Sequence, residues 1–128
     1  MVGILLLTHA PLGHAFVEAA SHVFQVQPDR LEAIDLWANQ EPHEVRRLAQ
    51  EAIARLDSGD GVLVMTDVIG GTPCNCTMSL CEPDHVEVIA GISLPMLLRA
   101  LSYRHEVLSR VAERAIAGAQ TGAVRLGE

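Results

Sequence analysis

The sequence predicts an α/β fold, a doubly wound and mainly parallel sheet with helices on both faces. Short apolar runs alternate along the chain with longer segments of helical period, which is typical of parallel strands joined by covering helices. The chain has 128 residues and is 49% hydrophobic, which is enough for one core but short for two. We therefore expect a single domain spanning residues 1–128.

Four short runs are the strand candidates, and they differ in how completely apolar they are. The runs at 2–7 and 61–66 are apolar at nearly every position, whereas those at 31–35 and 85–90 interleave acidic residues. Continuously apolar strands are buried on both faces of a sheet. This predicts the order 2-1-3-4, and in such a sheet the ligand crevice lies between the carboxyl ends of strands one and three.

Two segments between or after the strands show clear helical periodicity. Residues 42–57 carry one apolar stripe, with Pro42 suited to a first helical turn and SGDG suited to end the helix after Leu56. Residues 105–119 repeat the pattern, so we expect the last long helix there.

The charge balance excludes several classes of partner. Sixteen acidic side chains oppose nine basic ones, for a net charge of −7, and binding to nucleic acid or to an anionic membrane requires clustered cations. No apolar run approaches the roughly 20 residues of a membrane span, and the start of the chain lacks a charged leader. We expect a cytoplasmic protein without nucleic-acid binding or membrane insertion.

Three cysteines lie close together, at Cys74, Cys76 and Cys81. An odd, bunched set indicates a reducing compartment rather than a disulfide framework. With His85 they resemble a zinc set, but if 73–81 is helical Cys76 points away from the other two. We therefore expect no metal.

A polar residue follows each of the two central strands, His9 in LLLTHAPLG and Asp67 in LVMTDVIGG. On adjacent parallel strands these side chains emerge side by side. A carboxylate accepts the hydrogen bond of one imidazole nitrogen and leaves the lone pair of the other directed outward. This pattern predicts a nucleophilic histidine, with phosphorus as a candidate target.

The residues after Asp67 favour an anion site. Gly70 and Gly71 permit close approach of a ligand to the backbone, and Thr72 followed by Pro73 is a good start for a helix. Free N–H groups at a helix start attract anions. The stretch matches neither a Walker loop nor a dinucleotide fingerprint.

Three motifs in this order, THAPLG at 8–13, DVIGGTPCN at 67–75 and AGISLPML at 90–97, carry a family resemblance that covers essentially the whole chain. The sequence resembles the enzyme IIA domain of the mannose-type phosphoenolpyruvate-dependent sugar phosphotransferase system (PTS). The resemblance implies a doubly wound fold and a phosphotransferase without a cofactor. It also implies that the phosphocarrier protein HPr donates the phosphoryl group and that an enzyme IIB partner accepts it.

Transferred to this chain, the resemblance makes His9 the phosphorylated residue and Asp67 its hydrogen-bonding carboxylate. The residues implied to line the phosphoryl pocket are Gly70, Gly71, Thr72 and Ser93. Some family members carry tryptophans beside the site where this chain has Pro11 and Ile69, so we expect a different partner-facing surface.

The resemblance also implies a homodimer, because dimers of the family exchange a C-terminal strand. The tail at 123–128, AVRLGE, is short and has apolar residues at Val124 and Leu126. We expect a fifth strand there, which either exchanges between subunits or packs on its own chain.

Other functions remain open at this stage. One is a free-standing regulatory phosphoacceptor without a role in transport, and another is a small-anion-binding module without turnover. A third is the related phosphotransferase subunit of dihydroxyacetone kinase, although GGTPCN favours the mannose type. The remaining histidines are expected on the surface, namely His14, His22, His43, His85 and His105.

Overall fold

The computed structural model describes residues 1–68 and 78–127. In this part of the chain strands and helices largely alternate, as the sequence predicts. The strands are β1 (Gly3–His9), β2 (Leu31–Leu36), β3 (Val62–Thr66) and β4 (Val86–Ala90). The helices are α1 (Leu12–Phe24), α2 (Pro42–Leu56), α3 (Leu94–Tyr103) and α4 (Leu108–Gly122).

All four strands are parallel and lie in the order β2-β1-β3-β4. The predicted order is therefore confirmed. Every residue of β3 and every residue of β1 except His9 is buried, whereas the two edge strands carry partly exposed positions. The apolar runs occupy the centre because only there are both faces of a strand covered.

Helices cover both faces of the sheet, also as predicted. Side chains of a strand alternate between the faces, so Ile4 and Leu6 pack with α1, α3 and α4. Leu5 and Leu7 point the other way and pack with α2. None of these helices is long and apolar enough to cross a membrane, in the part of the chain that the structure describes.

Some boundaries differ from the prediction. Strand β1 continues two residues beyond Leu7 because β2 pairs with it as far as His9. Helix α4 begins at Leu108 rather than at 105, since the chain first makes a turn in which Glu106 N–H donates to the Tyr103 carbonyl at 3.0 Å.

The tail at 123–127 forms no strand within this single chain, and its apolar residues Val124 and Leu126 are exposed. Exchange of this segment between subunits stays a prediction. The five histidines expected on the surface are all exposed.

A buried arginine fastens the end of the sheet opposite the carboxyl ends of the strands. The Arg104 side chain is almost fully buried and donates to the carbonyls of Val2 at 2.9 Å, Asp29 at 2.6 Å and Arg30 at 2.8 Å. It thereby joins the end of α3 to the starts of β1 and β2. Buried carbonyls that lose their donor carry a desolvation penalty.

We expect Arg104→Ala to lower the free energy of unfolding by about 3 kcal/mol, because buried carbonyl groups lose their partner. Urea denaturation of the variant and of Arg46→Ala, which removes an exposed arginine of α2, tests this. Equal unfolding midpoints for the two variants would contradict a structural role for Arg104.

Candidate functional site

The carboxyl ends of β1 and β3 bring His9 and Asp67 into contact. The ring nitrogen Nδ1 of His9 lies 2.8 Å from Oδ2 of Asp67. The same oxygen accepts the backbone N–H of His9 at 3.1 Å. The contact follows from the pairing of the two strands, which holds their ends side by side.

The second oxygen of Asp67 is also held. Oδ1 accepts the backbone N–H of Val68 at 3.0 Å and lies 3.5 Å from the hydroxyl of the fully buried Thr66. The Asp67 side chain is only 11% exposed. Groups at both oxygens thus fix the direction of the carboxylate before any ligand arrives.

These contacts set the protonation state of Asp67. Burial raises the pKa of its carboxyl group, but the hydrogen bond from the His9 ring, the one from the His9 backbone and the attraction of the imidazole outweigh burial. The pKa of Asp67 is therefore below its ordinary value. The carboxylate is ionised at neutral pH and accepts, rather than donates, in its bond with His9.

The other face of the imidazole is open. The His9 side chain is 54% exposed, and no residue in 1–68 or 78–127 is hydrogen-bonded to its Nε2. Because an ionised carboxylate can only accept, the proton of the neutral ring is on Nδ1 and the lone pair is on Nε2. The pair therefore presents an oriented nucleophile, with a carboxylate behind it to stabilise developing positive charge.

The other predicted site residues are placed only in part. Gly70, Gly71 and Thr72 lie outside the described residues. Ser93 precedes α3, and its Oγ accepts the backbone N–H of Met96 at 3.3 Å as a helix cap. Since Ile92 N–H donates to the Thr66 carbonyl at 3.1 Å, Ser93 lies at the same edge of the sheet as the end of β3.

Among the described residues, no group of three or more His, Cys, Asp or Glu side chains is placed to hold a metal ion. Cys74 and Cys76 lie outside the described residues. Cys81 is a free and exposed thiol.

Exposed apolar side chains lie at the same edge of the sheet as the pair, a feature that the sequence reasoning missed. Leu12, Trp37 and Val68 follow the ends of β1, β2 and β3, respectively, and all three are exposed. Trp37 is the largest of them, is 69% exposed and is the single tryptophan of the chain. Its position two residues after the second predicted strand at 31–35, at the start of the stretch WANQEP, was the available signal.

The model of one protein family, described as the PTS system fructose IIA component, matches residues 3–116. The fructose-specific EIIA component of the PTS from Bacillus subtilis is 25% identical over 108 residues, 84% of this chain and 73% of that protein. The mannose-specific EIIAB component from Escherichia coli K12 is 27% identical over 106 residues, 82% of this chain but 32% of that protein. The chain thus spans about a third of that longer relative.

Solved structures share the fold. An EIIA component of the phosphotransferase system from Streptococcus agalactiae superimposes with a TM-score of 0.87 at 24% identity, covering 98% of this chain and 97% of that one. The mannose/sorbose-specific IIA subunit from Enterococcus faecalis gives a TM-score of 0.87 at 18% identity, covering 99% and 96%.

The family model covers most of the chain, including β1, which carries His9, and β3, which Asp67 follows directly. The chain belongs to the mannose/fructose-type enzyme IIA family of the phosphotransferase system, whose members are phosphotransferases that carry phosphoryl groups in sugar PTS pathways.

Proposed function

We propose that this chain accepts a phosphoryl group from phospho-HPr on Nε2 of His9 and passes it to an enzyme IIB partner. One observation carries the proposal: the exposed imidazole of His9 is held through Nδ1, at 2.8 Å, by the nearly buried carboxylate of Asp67. That arrangement leaves one nucleophilic nitrogen facing outward at the carboxyl edge of the sheet, where α/β folds bind ligands.

In the accepting step, the lone pair of His9 Nε2 attacks the phosphorus of the donor phosphohistidine. The donor P–N bond breaks, its electron pair returns to the donor ring, and that ring takes up a proton. The positive charge that develops on the His9 ring is shared through Nδ1–H with Asp67. Such transfers depend mainly on alignment and on stabilisation of the phosphoryl oxygens, which a fixed imidazole supports.

The phosphoryl oxygens are assigned to the residues that the family resemblance implies. Backbone N–H groups of Gly70 and Gly71 and of the helix start that the sequence predicts at Thr72 would bind them. The hydroxyl of Ser93 accepts from Met96, and a hydroxyl that accepts retains its own proton to donate to a phosphoryl oxygen.

In this proposal, partner proteins dock on the exposed apolar residues at the same edge of the sheet as His9. Leu12, Trp37 and Val68 supply an apolar surface at three adjacent strand ends. Large aromatic residues at the centre of an interface commonly dominate the binding energy. Trp37 is therefore the proposed anchor for HPr and for the IIB partner.

The proposed subunit arrangement is a homodimer. The exposed residues Val124 and Leu126 at the end of the chain are the apolar positions that a strand exchanged between subunits would bury. Each dimer would then carry two His9 sites.

We expect His9→Ala to lose transfer from phospho-HPr to the IIB acceptor by more than about a thousandfold, because the variant lacks the nucleophile. Rapid-quench measurement with mass spectrometry of the acceptor follows the reaction, and circular dichroism checks the fold. His43→Ala, which removes an exposed histidine of α2, is the matched control. Transfer by His9→Ala at the rate of this control would refute the assignment.

Asp67→Asn is expected to lower the rate of transfer about tenfold to a hundredfold while changing the KM for phospho-HPr little. The asparagine amide keeps the shape of the side chain, but it carries no negative charge to stabilise the positive charge that develops on the His9 imidazole. An unchanged kcat, measured by the same quench method, would show that the carboxylate does not position His9.

The same variant tests the ionised state of Asp67. A lowered pKa means that the carboxylate contributes stability that is fully present at neutral pH and is lost as the pH falls through the lowered pKa. The difference in unfolding free energy between the native chain and Asp67→Asn should therefore shrink between about pH 7 and about pH 2.5. A difference in unfolding free energy that stays constant over this pH range would contradict the lowered pKa of Asp67.

Trp37→Ala is expected to raise the KM for phospho-HPr about tenfold with little change in kcat, because it removes a docking contact and no reacting group. Val107→Ala is the control: Val107 is equally exposed, but it lies three residues beyond Arg104, which binds Val2 at the far end of the sheet. Equal KM values for both variants would place docking elsewhere.

A further inference from the structure

A second histidine–aspartate pair lies on α1 and β2. Nδ1 of His14 is 2.8 Å from Oδ2 of Asp35, and the backbone N–H of His14 lies 3.3 Å from Oδ1 of the same carboxylate. The Asp35 side chain is 10% exposed and that of His14 is 68% exposed.

This pair reproduces the chemical features of the pair formed by His9 and Asp67. In both, one nearly buried carboxylate binds the ring Nδ1 and the backbone N–H of one histidine, and the ring is exposed. In both, Nε2 makes no hydrogen bond with the residues that the structure describes. The described contacts give no such carboxylate partner to the other four histidines, which are His22, His43, His85 and His105.

Close packing holds the second pair in place. A Cβ atom added at Gly13 would lie 2.8 Å from Oδ1 of Asp35 and 2.9 Å from Oγ1 of Thr8. Glycine therefore permits the first turn of α1 to rest against the carboxylate. The orientation of His14 is consequently built into the contact between α1 and β2, rather than being a chance contact of a mobile surface side chain.

The surroundings of His14 leave room for a small donor. His14 lines an open cleft of about 410 Å³ between α1 and β2, together with Glu18 and Glu32. The charge of Glu32 is paired with Arg55 at 2.8 Å. Glu18 is the remaining acidic residue of the lining. Both Glu18 and the cleft are open to solvent, so its charge is screened and would slow the approach of an anionic donor without blocking it.

We propose that His14 is a second phosphoryl-accepting histidine, with Asp35 as its positioning residue. The substrate class is a phosphoryl group carried on nitrogen, as in phosphohistidine and small phosphoramidates. The lone pair of His14 Nε2 attacks phosphorus, the P–N bond of the donor breaks, and the leaving nitrogen keeps the electron pair and takes up a proton. Asp35 stabilises the charge that develops on the ring through Nδ1–H.

The experiment uses the full chain carrying His9→Ala, so that His14 is the one paired histidine left in the described part of the chain. The variant is incubated with potassium phosphoramidate, and fragmentation mass spectrometry at neutral pH measures labelling at each histidine. We expect His14 to be labelled faster than His22, His43, His85 and His105 by on the order of tenfold, the scale on which a carboxylate tunes an imidazole.

Asp35→Asn in the same background is expected to bring His14 down to the rate of those four histidines, because the amide lacks the charge that stabilises the reacting ring. Thermal unfolding checks that the variant folds. The comparison of His14 with the other four histidines uses a chain in which His14 and Asp35 are both intact. It therefore tests the proposal even if the Asp35→Asn variant does not fold. Labelling of His14 no faster than the other four, or unaffected by Asp35→Asn in a folded protein, would overturn the proposal.

A second arm replaces phosphoramidate with phospho-HPr. Labelling of His14 in both arms supports a protein donor, and labelling by phosphoramidate alone supports a small-molecule donor. Labelling in neither arm overturns the proposal. The phosphoramidate arm requires neither HPr nor IIB. A lack of His14 labelling in that arm would therefore leave the proposed role of His9 untouched. Likewise, a negative result in the His9 transfer experiment would leave the His14 proposal untouched.

Discussion

The parallel pairing of β1 with β3 is the constraint on which the rest of the structure depends. These are the two strands that are buried on both faces, and they pair from Gly3 with Val62 to Leu6 with Met65. Burial of both faces is possible only in the middle of a sheet with helices on each side. The chain must therefore continue outward in both directions, with β2 on one edge and β4 on the other.

The same pairing creates the site. Once the two central strands are in register, their carboxyl ends lie together, and His9 meets Asp67 at the point where the sheet stops. The pair combines a nearly buried carboxylate with an exposed imidazole. The buried charge is acceptable because both carboxylate oxygens receive hydrogen bonds, and the exposed ring is accessible because it lies at the rim rather than within the core.

Most of the architecture could be predicted because it follows from patterns of apolar residues. The continuous runs of β1 and β3 and the acidic interruptions of the edge strands were sufficient for the strand order. The ends of helices were predicted less well, because an apolar pattern can continue through a turn that precedes or follows the helix. The apolar periodicity after residue 105 continues through a turn, so it placed the start of α4 three residues too early. A hydrogen bond to Tyr103 decides that boundary, and periodicity carries no information about it.

Other features arise from contacts between residues that are distant in the sequence. In the sequence Arg104 is one more charged residue just before the predicted helix at 105–119. It is buried because its guanidinium donates to the carbonyls of Val2, Asp29 and Arg30. His14 and Asp35 are 21 residues apart, and their partnership depends on how closely α1 approaches β2 at Gly13.

The sequence by itself determined the fold class, the strand order and the placement of His9 and Asp67 at one edge, because apolar patterning and parallel strand geometry leave little choice once the central strands are known. Only the tertiary structure decided which nitrogen of His9 faces outward, that Trp37 is exposed after the end of β2 and that His14 has a carboxylate partner. Hydrogen bonds such as that between His14 and Asp35 depend on distances of about 3 Å between side chains on different elements. Such distances are set by how the helices pack on the sheet, and that packing depends on the shapes of many side chains at once.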